Sequence, residues 1–117
     1  MRRWLLAAAL AVAAMSPVDA LAAARTVNIR VTDDGFVPAA VIAMVDQPIH
    51  LHVVNRGSRT HQFSIPFYRI FSRNLPPGEA TDIEFSPWTT GRYEMVSDPS
   101  GNFTPEFTGW FIVSDQK

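Results

Sequence analysis

Three histidines and no cysteine set the chemistry open to this chain. His50 and His52 stand two apart in a segment that alternates apolar and polar residues, so both rings project from one face of an extended strand. Asp82 and Glu84 repeat that spacing with two carboxylates. His61 lies within Arg59-Thr60-His61-Gln62-Phe63-Ser64-Ile65-Pro66. Imidazole combined with carboxylate suits a copper(II), zinc or iron ion. Without cysteine there is no thiolate site, no disulfide and no Cys nucleophile. No Gly-x-Ser-x-Gly elbow surrounds Ser97, and no glycine-rich phosphate loop occurs. The residues therefore favour a binding protein over an enzyme.

These side chains need a scaffold, and the apolar pattern supplies one. Val27, Ile29 and Val31 alternate with polar neighbours, as a half-buried strand does. Asp33-Asp34-Gly35 reads as a turn. Val41 to Val45 is a second strand, ended by Asp46-Gln47-Pro48. In the third, Ile49, Leu51 and Val53 take the core side, which turns His50 and His52 outward. Gln62 to Ile65 is short and extended. Leu75-Pro76-Pro77-Gly78 is a strong turn. Asp82 to Phe85, Tyr93 to Val96 and Trp110 to Val113 complete the set, and Phe67 to Asn74 is an irregular loop or short helical turn. Strands this short, at this spacing and with nine prolines between and beside them, predict an all-β antiparallel sandwich or barrel.

The first 24 residues read as a secretory signal. Arg2 and Arg3 are followed by an apolar run from Trp4 to Met15, and small residues then offer cleavage after Ala22 or Ala24. The run breaks at Ser16-Pro17, short of the roughly 20 residues a membrane span needs. A mature domain over residues 25–117 is expected, exported to the periplasm or secreted and not embedded in the membrane. Removing Arg2, Arg3 and Asp19 with the signal leaves 8 basic and 10 acidic residues, a balance that argues against nucleic acid as a partner.

The order of motifs carries a resemblance. Asn55 closes the third strand and His61 follows six residues later. Then come Leu75-Pro76-Pro77-Gly78-Glu79, Phe85-Ser86-Pro87, Thr90-Gly91-Arg92-Tyr93-Glu94 and Phe107-Thr108-Gly109-Trp110-Phe111-Ile112-Val113. This succession resembles the cupredoxin superfamily, and in particular the copper domain of cytochrome c oxidase subunit II. The resemblance covers roughly Val27 to Val113 and implies a Greek-key β-sandwich of about seven to eight strands. It places His61 at the first copper-ligand position. Ser97 stands where the family has its cysteine and Phe107 where it has the axial ligand, and the loop from Asp98 to Glu106 holds no second histidine. Most copper ligands are therefore missing. Blue and binuclear copper centres depend on a copper–thiolate bond that a serine hydroxyl cannot replace.

Under that resemblance His61, Asp98 and Glu106 form the primary candidate metal site, with copper or iron as the ion. The alternative is that His61 only caps the loop through a hydrogen bond to Ser97 or to the backbone. The family's strand order sets the third strand beside the one bearing Asp82 and Glu84, so His50, His52, Asp82 and Glu84 form a secondary surface site or a set of exposed ion pairs. Arg56, Arg59, Arg69 and Arg73 form a candidate docking patch for a partner, either a membrane metal transporter or another periplasmic protein. Two functions follow as expectations. One is an accessory role in copper or iron handling without a type 1 or binuclear centre. The other is a metal-free interaction or scaffold module.

Overall fold

The computed structural model describes residues 24–115. The expected signal falls outside the described residues apart from Ala24. Among the described residues no helix is long and apolar enough to cross a membrane.

Among the described residues nine strands form two sheets. They are β1 (Arg25–Thr32), β2 (Gly35–Val37), β3 (Ala40–Met44), β4 (Ile49–Asn55), β5 (Ser64–Ile65), β6 (Ile70–Phe71), β7 (Ala80–Phe85), β8 (Gly91–Ser97) and β9 (Phe107–Ser114). One sheet runs β2-β1-β4-β7, the other β3-β9-β8-β5-β6. This is the expected all-β sandwich, with two additions. β2 and β6 are too short to show alternation in the sequence. Two pairings, β1 with β4 and β3 with β9, run parallel, so the sheets are mixed and not purely antiparallel. β3 leaves the first sheet to pair with β9 in the second, which lets β4 return beside β1 in the same direction.

Strict alternation explains why each strand lies as it does. On β4 the inward residues Ile49, Leu51, Val53 and Asn55 are buried, while His50, His52 and Val54 are half-exposed. Ile29 and Val31 from β1, Met95 and Phe111 from the other sheet, and Phe63 just before β5 fill the space between. Burial of these side chains is the main favourable term, at about 1.5–3 kcal/mol each before the entropy of ordering the chain is subtracted. Pro66–Tyr68 forms a single 3-10 turn that drops Tyr68 onto one end of the core.

The parallel pairing decides what meets at the other end. It sets Val31 opposite Asn55. The turn after β1, carrying Asp33, and the loop after β4, carrying Gly57 to His61, are therefore neighbours although far apart in sequence.

Candidate functional site

At that end lies His61, a histidine with no solvent exposure. Its backbone is pinned by a reciprocal pair with Leu75: His61 N–H donates to the Leu75 carbonyl at 3.1 Å and Leu75 N–H to the His61 carbonyl at 2.7 Å. Both ring nitrogens face carboxylates. Nδ1 is 2.8 Å from Glu106 Oε2, and Nε2 is 2.8 Å from Asp33 Oδ1. Phe107 packs on the ring with centroids 5.5 Å apart.

Each partner is itself held. The Ser97 hydroxyl donates to Glu106 Oε2 at 2.5 Å and accepts the Gln62 N–H at 3.0 Å. Asp33 accepts from the Ser58 hydroxyl at 2.6 Å and from the Ser58 and Arg59 N–H groups. The Ser58 hydroxyl, then the His61 ring and the backbone N–H donors, hold the Asp33 carboxyl well below the usual carboxylate range. Gly57 is required for this approach, because a Cβ there would stand 2.3 Å from Asp33 Oδ1. Asn55, fully buried, ties the loop by donating to the Arg59 and Leu75 carbonyls and accepting the Gly57 N–H.

The Ser97 hydroxyl spends its only proton on Glu106, whose Oε2 shares a second hydrogen bond with the His61 ring. Each ring nitrogen of His61 thus has a carboxylate partner, and the Arg59 guanidinium lies 3.8 Å from Glu106 Oε1. A buried polar ring needs this kind of partnership to be tolerated.

The second cluster lies on the outer face of the first sheet. Antiparallel pairing sets His50 opposite Glu84 and His52 opposite Asp82. Asp82 Oδ1 is 2.8 Å from His50 Nε2 and 2.7 Å from His52 Nδ1, and Glu84 Oε1 is 3.2 Å from His50 Nδ1. The two His side chains are 31% and 39% exposed. Hydrogen bonds donated to Asp82 and then to Glu84 raise the His50 pKa above its ordinary value, and those accepted from His50 and His52 lower that of Asp82.

The family model for the cupredoxin-like domain matches residues 5–113. This chain belongs to the cupredoxin-like family. Solved structures share the fold at low identity. The metal-binding domain of the Cu(I)-exporting P-type ATPase of Streptococcus pneumoniae is 18% identical, with a TM-score of 0.61 over 76% of this chain and 84% of that one. Auracyanin from Roseiflexus castenholzii is 14% identical, with a TM-score of 0.65 over 80% and 99%. The periplasmic domain of cytochrome oxidase subunit II of Bradyrhizobium japonicum is 12% identical, with a TM-score of 0.64 over 82% and 88%. No curated protein matches in sequence.

Copper is what a cupredoxin-like fold implies, and the residues at the His61 end do not fit it. The polar atoms that converge there are His61 Nδ1, Ser97 Oγ and Glu106 Oε2, with Glu106 2.8 Å and 2.5 Å from the other two. Metal–ligand bonds of about 2.0–2.2 Å spread tetrahedral ligands to roughly 3.4 Å apart. Separations of 2.5–2.8 Å are those of a shared proton. Nor is there a thiolate, since the chain has no cysteine. Among the described residues, no group of three or more His, Asp or Glu side chains has the spacing to hold a metal ion.

Of the primary trio the structure joins His61 to Glu106 and leaves Asp98 elsewhere. Ser97 points inward, so Asp98, its neighbour, points to the opposite face. There its carboxylate accepts from the Ser100 hydroxyl and the Phe103 N–H. Asp33 takes the place expected of Asp98. Its only trace in the sequence is a turn motif, and the signal that could have found it is the β1–β4 pairing. The arginines do not act as one patch. Arg59 engages Asp33 and Glu106, and Arg73 bonds Glu79 at 2.7 Å, whereas the side chains of Arg56 and Arg69 engage no described residue.

Proposed function

We propose that this chain is an exported, periplasmic member of the cupredoxin-like family that works as a metal-free binding module, its metal end closed by a proton-bridged Ser97–Glu106–His61–Asp33 network. One observation carries this reading: His61 has no exposure and both ring nitrogens are already engaged by carboxylates at 2.8 Å. A closed, hydrogen-bonded end stiffens the loops around it. That suits a module that presents a fixed surface to another periplasmic protein or to a membrane metal transporter. The test is thermal melting of the purified chain with Cu(I), Cu(II), Fe(II) and Zn(II), alone and as His61→Ala. An ion that binds only the folded state raises the melting temperature. The proposal expects no rise that depends on His61. A rise abolished by His61→Ala and kept by His50→Ala/His52→Ala would overturn it in favour of metal delivery at the loop end.

A second reading rests on the surface register. Two imidazoles and two carboxylates face one another across β4 and β7, where exposed side chains can turn. A copper or iron ion captured there would have to displace the hydrogen bonds that now join them. Metal-dependent stabilisation lost in His50→Ala/His52→Ala and kept in His61→Ala is the outcome this reading expects.

A further inference from the structure

A groove of about 360 Å³ lies on the outer face of the second sheet, beneath the loop that joins β8 to β9. Its size is that of a small-ligand site. Glu94 and Val96 from β8 and Gln62 beside β5 line it, with Asp98 and Phe103 from the loop and Phe71 from β6. None of its lining residues is basic. We propose that this groove binds a small organic cation of the substituted-ammonium type, seated against Phe71 and Phe103 and neutralised by Glu94.

Three observations carry it. The floor is rigid. Gln62 is buried and all its side-chain hydrogen bonds are made: Nε2 donates to the Phe63 and Ser72 carbonyls, and Oε1 accepts from the Ser64 hydroxyl and the Asp98 N–H. The aromatic walls are open. Phe71 is 61% and Phe103 91% exposed, so both rings can be reached by a ligand. Phe103 is also held in place. Its backbone has φ 62°, and its N–H donates to Asp98 Oδ2 at 2.8 Å. The third observation is charge. Asp98 is occupied in holding the loop, but Glu94 is exposed and makes no hydrogen bond or ion pair to any described residue, so one carboxylate at the groove is open to a ligand. Arg92, on the same face of β8, is turned onto the Trp110 ring and lies outside the lining. Aromatic faces beside a carboxylate that no lining residue pairs are complementary to an alkylammonium, which combines cation–π attraction with apolar contact.

The test titrates choline into the full chain and follows backbone amide NMR shifts. Its uncharged isostere, 3,3-dimethyl-1-butanol, serves as the comparison. Saturable shifts confined to residues 62–64, 71, 94–98 and 101–105 are expected, with choline bound about tenfold more tightly than the alcohol. Glu94→Gln, on an exposed carboxylate whose loss leaves the fold intact, should remove most of that preference. Phe103→Ala should weaken both compounds. Equal affinity for the two compounds, choline affinity unchanged in Glu94→Gln, or shifts scattered outside the groove would overturn the proposal.

Discussion

The molecule builds the same chemical unit twice, histidine flanked by carboxylates, at two depths. At the loop end His61 is wholly buried between Asp33 and Glu106. On the first sheet His50 and His52 meet Asp82 and Glu84 at similar distances with about a third of each ring in water. Distance alone would rank the two as equals. Burial separates them, because a polar group removed from water depends on its partners, while an exposed one exchanges them for solvent with little loss. The buried unit is therefore a structural closure, and the exposed one a surface feature that the fold can do without.

The largest effect should follow from breaking the buried unit. Glu106→Ala leaves the His61 ring and the Ser97 hydroxyl without their shared acceptor. Breaking a buried pair by removing one partner typically costs up to about 3–5 kcal/mol, and the partial exposure of Glu106 brings the expectation to about 3 kcal/mol. Urea denaturation of Glu106→Ala against Glu84→Ala measures the contrast. Equal losses in the two variants would remove the distinction drawn here. Next comes Gly57→Ala. The new Cβ displaces the Asp33 carboxylate from His61 without altering any charge, for a loss of about 1–2 kcal/mol. An unchanged urea midpoint would mean that the Asp33 contact contributes nothing.

The two regions also differ in how far the sequence revealed them. Alternation on β4 and β7 placed His50, His52, Asp82 and Glu84 outward. The family's strand order then brought them together, since period-2 patterns and pairing register suffice for a surface. The buried unit was half legible. His61 and Glu106 followed from the motif order, but Asp33 did not, because its contact depends on a parallel pairing between segments that are not adjacent in sequence. Asp98, a candidate ligand by its place on the closing loop, is separated from His61 by parity: a residue following inward-facing Ser97 faces out. β2 and β6, at three and two residues, are shorter than any alternation can mark.

Acid tests the buried unit from the other direction. The Asp33 carboxyl titrates below its unfolded value of about 4, so its contribution is present above that pH and is lost as pH falls through the folded value. Stability of the wild-type protein should fall between about pH 4 and pH 2 more steeply than that of Asp33→Asn, whose side chain cannot titrate. Parallel acid limbs in urea titrations of the two proteins would place the acid sensitivity elsewhere.

The smallest effect, and the one most useful for deciding what the exposed unit does, is its alkaline limb. The carboxylates raise the His50 pKa, so its contribution is complete below the unfolded value of about 6.5 and disappears as pH rises through the folded value. Asp82, with its pKa lowered, contributes above about 4 and loses that contribution in acid. The cluster therefore helps most between those limits. His50→Ala/His52→Ala should melt slightly below wild type near pH 5.5 and together with it near pH 9, and 1 M salt should shrink even the first difference. A bound divalent ion reverses the sign. Metal requires neutral imidazoles, so metal-borne stability grows as pH rises through the same range. A gap between the two proteins that widens toward pH 9 on adding Cu(II) would identify the surface cluster as a capture site. A gap that closes there, with or without the ion, leaves it as an ion-pair network on a metal-free sandwich.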